Sequence, residues 1–170
     1  MKLKRILPEC DADTLFVKLL LKRGLPNHQK NIHKVAKALE LHQDQTLFVI
    51  GVIDNDKAKN VPTYIKGFTE LVNKEPEEGL AILNLAGTEK YIIRLYPAFE
   101  KWILFVAESC DVDPGEFGFY NFEKLRNESK GDGVYNNIPL NKFIKAVISK
   151  NPPAIQTLRF WLNKANPENE

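Results

Sequence analysis

Apolar and polar positions alternate with several different periods along the chain, and each change of period predicts an element. From Thr46 to Asp56, TLFVIGVIDND, residues Leu47, Phe48, Val49, Ile50, Val52 and Ile53 form a nearly unbroken apolar run that stops at Asp54, Asn55 and Asp56. A short run rich in β-branched residues, with no helical period, predicts a strand buried on both faces, as in a parallel α/β sheet. Leu3 to Leu7 predicts a shorter strand that ends in Pro8 and Glu9. Between the two strands lie two helical stripes. Ala12, Leu15, Phe16, Leu19 and Leu20 recur at helical spacing over Asp11 to Lys22, with Asp11 or Asp13 as N-cap and Gly24 as the stop. Ile32, Val35, Ala36 and Leu39 give the second stripe, after the polar connector LPNHQK.

Beyond Asp56 the pattern predicts a helix over Thr63 to Asn73, a loop NKEPEEG, and strands Leu80 to Leu85 and Lys90 to Leu95 joined as a hairpin around Gly87, Thr88 and Glu89. One hairpin strand must oppose the main sheet, and the pattern does not say which. Tyr96 and Pro97 open a helix that buries Phe99, Trp102, Ile103 and Val106. After DVDPGEFG only helical patterns remain: Tyr120 to Ser129, Pro139 to Ser149 and Pro153 to Lys164, with a loop SKGDGVYNN after the first. The tail, Asn166 to Glu170, is expected to be disordered. The expected fold class is therefore α/β, a small mostly parallel sheet flanked by helices over residues 1–110. A helical C-terminal extension, 111–170, is expected to pack on it and offers a surface for a protein partner.

With 170 residues, the chain suits one compact domain with a small appendage, and 44% hydrophobic and 27% charged residues are globular values. A formal net charge of +2 is too small to imply a nucleic-acid partner by itself, although it leaves room for a local basic patch. Cys10 and Cys110 are isolated, which excludes a disulfide scaffold and a paired zinc motif. MKLKRILPEC lacks the apolar core of a signal peptide, and no stretch is long enough to span a membrane. The expected location is the cytoplasm.

The carboxylates carry the candidate chemistry. If the first strand lies parallel to and beside the 46–53 strand, Glu9, Asp54 and Asp56 converge at the C-terminal edge of the sheet, where open α/β folds keep their ligand crevice. Two carboxylates one residue apart suit Mg2+, with Mn2+ as a second possibility. Glu100 would join them, as a ligand or to position water, if the 90–95 strand is the parallel one; otherwise it suits the helix dipole. His28, Lys30 and Lys57 are candidate phosphate or nucleic-acid contacts, weighed against an ordinary solvated basic face. His28 and His33 are off the spacing of a helical zinc pair, and the residues after Asp111 and Asp113 do not complete a calcium loop.

Two segments, ILPECDADTLFVKLLL and VIGVIDNDK, together resemble the strand, glutamate and first helix, and the Asp-x-Asp strand, of the Toprim domain. That domain is the metal-binding catalytic module of topoisomerases, primases and the overcoming-lysogenization-defect family of nucleases. The resemblance covers roughly the first half of the chain, a length suited to a compact α/β unit. It implies that Glu9 is the general acid/base or metal-adjacent glutamate and that Asp54 and Asp56 are magnesium ligands. No Ser or Tyr nucleophile stands out, so hydrolysis by water is the simpler reaction. The implied function is magnesium-dependent phosphoryl transfer on nucleic acid, most simply nuclease-type phosphodiester hydrolysis. The alternative is a non-catalytic Toprim-like interaction module that binds a cation or a nucleotide phosphate. A receiver-like phosphoacceptor, with Asp54 phosphorylated, lacks a strand-end hydroxyl followed by a strand-end lysine.

Overall fold

The computed structural model describes residues 5–22, 24–44, 46–55 and 60–165. Asp56, Lys57, the start of the first expected strand and the tail expected to be disordered lie outside the described residues. Five strands form one sheet: β1 (Ile6–Pro8), β2 (Val49–Asp54), β3 (Thr69–Lys74), β4 (Leu80–Asn84) and β5 (Lys90–Leu95), in the order β1-β2-β5-β4-β3. The apolar run around Val49 to Ile53 is the second strand in from one edge. It pairs in parallel with β1, Leu7 opposite Gly51, and with β5, from Val49 opposite Lys90 to Asp54 opposite Leu95. The hairpin expected around Gly87 joins β4 and β5, and β5 is its parallel member.

The sheet is mixed, not mostly parallel, because a strand stands where a helix was expected. Only Thr63–Lys66 is helical (α3); the chain then turns at Gly67 and runs as β3, antiparallel to β4. A continuous helix would have held Gly67 and β-branched Thr69 and Val72 in its interior, which all disfavour it, whereas β4 offers a full ladder of backbone partners. β3 forms the outer edge, with a bulge between Glu70 and Val72 and with Leu71 exposed. The following acidic segment, expected as a loop, holds the short helix α4 (Glu75–Glu78), closed by Gly79 at φ +66°.

Alternation along β2 divides the core. Ile50 and Val52 face the larger cluster, with α1 (Asp11–Leu21) and α5 (Phe99–Ser109); Val49 and Ile53 face the smaller one, with α2 (Ile32–Leu41) and α3. Gly51 lets α2 approach the sheet, since a Cβ there would lie 2.8 Å from Val35 Cγ1. The β-branched valine has little rotamer freedom in a helix with which to give way. Gly51→Ala is therefore expected to cost about 1–3 kcal/mol, the usual penalty of overpacking, in urea denaturation. An unchanged midpoint would mean that α2 withdraws from the sheet without cost.

The last third is helical as expected: α6 (Phe122–Glu128), α7 (Ile138–Lys150) and α8 (Pro153–Lys164). Two 3₁₀ turns, Pro114–Phe117 and Asp132–Asn136, occupy the segments read as breaks. The larger core cluster runs from Ile6 to Ala165, so side chains of α7 and α8 share it with β1, β2 and α1. Among the described residues no helix is long and apolar enough to cross a membrane.

Candidate active site

Parallel pairing of β1 with β2 brings Glu9 and Asp54 to the same sheet edge. The Glu9 amide extends the ladder by donating to the Val52 carbonyl at 2.9 Å, and the Asp54 amide donates back to Glu9 Oε2 at 3.1 Å. Glu9 is only 3% exposed and is not among the residues that line the adjoining cleft. Asp54 Oδ1 in turn accepts from the Phe99 amide at 2.9 Å. The residue before Phe99 is Ala98, whose side chain cannot cap, so a carboxylate from the sheet serves the first turn of α5. The positive end of the α5 dipole thus meets the acidic strand end.

Because β5 is parallel to β2, Glu100 follows at the same edge, as its conditional reading required. Asp54 and Glu100 line a cleft of about 500 Å³ together with Asp11, His28, Lys30 and the loop residues Lys130 and Asp132. Four of the sequence-selected residues, Asp54, Glu100, His28 and Lys30, therefore share one concavity. Asp56 and Lys57 fall outside the described residues.

The connector LPNHQK reaches this cleft by following the outer side of β1. Its Asn27 and Gln29 amides donate to the carbonyls of Ile6 and Pro8, each at 3.0 Å. His28, held between them, places Nδ1 3.3 Å from Asp11 Oδ1, while its Nε2 is buried and among the described residues has no hydrogen-bond partner. Asp11 Oδ1 also accepts from the Tyr135 hydroxyl at 3.1 Å. Burial, and then the negative charge of Asp11, push the Tyr135 hydroxyl up to about 12, so it remains a donor at neutral pH. The pairing of His28 with Asp11 was not visible in sequence, where the two are 17 positions apart.

Neither Asp11 nor Asp13 caps α1. Cys10 does: its Sγ accepts from the Asp13 amide at 3.4 Å, and Asp13 Oδ2 accepts from the Cys10 amide at 3.3 Å. At the other end Lys22, at φ 52°, closes the helix before Gly24 is reached. The capping box draws Asp13 into the interior. It is 1% exposed, and among the described residues its Oδ1 has no partner. Its carboxyl is held well above the ordinary aspartate range by burial, then by the charge of Asp54 and less by that of Glu9, against hydrogen bonds from Cys10. Burial, Asp13 and Asp54 likewise push the Cys10 thiol up, which disfavours the reactive thiolate.

Asp13 ties stability to pH. Its native carboxyl keeps a proton to higher pH than the unfolded chain does, so this contribution is fully present below the ordinary aspartate range and is lost as pH rises through the native value. Asp13→Asn imitates the protonated form and still offers an oxygen to the Cys10 amide. It is expected to raise the unfolding temperature at pH 8, by a margin that shrinks as pH falls towards the ordinary aspartate range. Thermal melts across that interval test the assignment, and a margin independent of pH would refute it.

The donor set suits a hard divalent cation. Asp54 and Glu100 both line one cleft, and carboxylate oxygens are the ligands that such cations take. Among the described residues, however, no three His, Cys, Asp or Glu side chains are grouped closely enough to hold a metal by themselves. No family model matches the chain, and neither a curated protein nor a solved structure matches it.

Proposed function

We propose that the chain is a Toprim-like, magnesium-dependent phosphodiesterase acting on nucleic acid. The observation that supports this reading best is the cleft at the C-terminal edge of β1, β2 and β5, where Asp54 and Glu100 face His28 and Lys30. Asp54 and Asp56, joined by Glu100, would hold Mg2+, or Mn2+ in its place. Bound there, the cation would neutralise charge on the phosphoryl oxygens of the substrate.

The remaining roles belong to the chain. Glu9 holds the Asp54 backbone and the Phe99 amide holds its carboxylate, so the acidic group is oriented before substrate arrives. His28, with Nδ1 3.3 Å from Asp11 Oδ1, holds the connector against the start of α1, which keeps Lys30 at the cleft. Lys30, Lys130 and Lys57 steer the phosphate. Two free thiols, Cys10 and Cys110, fit a cytoplasmic setting.

The burial of Glu9 favours one second reading, a non-catalytic module of the same kind that binds a cation or a nucleotide phosphate, because a glutamate off the cleft wall cannot exchange protons with substrate directly. Incubation with Mg2+ and labelled single- and double-stranded DNA and RNA separates the two. Cleavage products that disappear in Asp54→Asn establish the enzyme; calorimetric Mg2+ binding without products, lost in the same variant, establishes the module.

A further inference from the structure

A second concavity, larger than the acidic cleft at about 760 Å³, lies at the opposite end of α1. Its charged walls come from three helices: Lys18 from α1 and Lys22 at its end, Lys145 from α7 and Arg159 from α8. Among the described residues no carboxylate lines it. Among the described residues Lys18, Lys22 and Lys145 have no acidic partner, and the Arg159 guanidinium donates only to the neutral Asn151 side chain at the turn between α7 and α8. Leu19 and Ile148 supply apolar surface between these cations.

Four like charges around one hollow repel one another, in a chain whose formal net charge is only +2. An occupant carrying several negative charges would reverse that repulsion. The volume is that of a small-molecule site, which spans about 300–1,000 Å³. Cations that surround a hollow from three helices, instead of following a track across the surface, fit a compact polyanion better than an extended nucleic-acid backbone. Arg159 has the planar fork that grips phosphate in two bonds, and lysines add mobile point charges. The apolar patch between them suits a base or sugar. We propose that this groove binds a nucleoside polyphosphate, at a site separate from the acidic cleft and independent of the metal proposed there.

The test is calorimetric titration of the full chain in EDTA with adenosine triphosphate, guanosine triphosphate, inorganic tripolyphosphate and a 12-nucleotide single strand. At least one nucleoside triphosphate is expected to bind, and more tightly than tripolyphosphate. Its affinity should fall at least tenfold in Lys145→Glu with Arg159→Glu and remain unchanged in Asp54→Asn. Should that double variant lose its fold by circular dichroism, Lys22→Ala with Lys145→Ala, at two exposed positions, should show the same loss. Absence of binding by either nucleotide, equal or tighter binding of tripolyphosphate, binding of the oligonucleotide alone, or affinity untouched by the groove variants would overturn the proposal. Dependence on Asp54 would instead place the nucleotide in the acidic cleft, and would overturn it as well.

Discussion

Asp54→Asn is expected to lower the proposed magnesium-dependent cleavage at least about 100-fold, more than the loss usual for a residue that merely supports a metal ligand, while the protein stays folded. The reason lies in the two tasks of this side chain. Its charge is what the proposed chemistry needs; its Oδ1 is what the Phe99 amide needs. Asparagine keeps an oxygen for the amide while it removes the charge. Asp54→Ala removes both, and should add a loss of about 1 kcal/mol in urea denaturation, the usual cost of an emptied N-terminal cap. Cleavage rates and denaturation midpoints for the two variants therefore separate chemistry from capping. Full activity in Asp54→Asn would remove the acidic edge from the mechanism.

Trp102→Ala carries the largest expected cost in stability. The indole is completely buried, edge-on to Phe16 at 5.3 Å between ring centroids and beside Phe99 at 6.1 Å. Its Nε1–H donates to the Glu78 carbonyl at 3.0 Å, which ties α5 to the end of α4. Truncation is expected to cost about 3–5 kcal/mol for the lost packing and cavity, with about 1–3 kcal/mol more if the carbonyl is left buried without a donor. That is comparable with the whole stability of many domains, about 5–15 kcal/mol. Trp102→Phe keeps much of the packing and isolates the hydrogen bond. Chemical denaturation of both variants reads the two contributions, and a loss below about 1.5 kcal/mol in Trp102→Ala would show that the surrounding rings close over the gap.

The parts of the fold legible in sequence are those in which burial leaves a periodic mark. β2 is apolar on successive positions because helices cover both of its faces, and α1, α2 and α5 show stripes because each buries one side. β3 left no such mark: Thr69, Glu70 and Leu71 are exposed, and what holds it is a backbone ladder to β4, which is indifferent to side-chain pattern. The meeting of Glu9 with Asp54 followed from two strands ending in acids. The place of Glu100 depended on the direction of β5, which local pattern does not encode. Which way Glu9 turns was also beyond reach, since a strand-end carboxylate can bond backbone or face solvent. Cys10 escaped notice as a cap because thiols are weak acceptors seldom found in that role, and with it went the one signal for Asp13, three acids within five residues at Glu9, Asp11 and Asp13.

The outer strand has a consequence for how the molecule behaves in company. Among the described residues β3 leaves one row of backbone groups without a sheet partner, and Leu71 adds an exposed apolar side chain, the combination from which edge-to-edge aggregation starts. The bulge between Glu70 and Val72 breaks the regular spacing of that row, and exposed Glu70 sets a charge beside it. A second copy approaching this edge meets an uneven, charged template that matches no straight strand of its own. Growth of the sheet from one molecule into the next is thereby opposed at this outer edge.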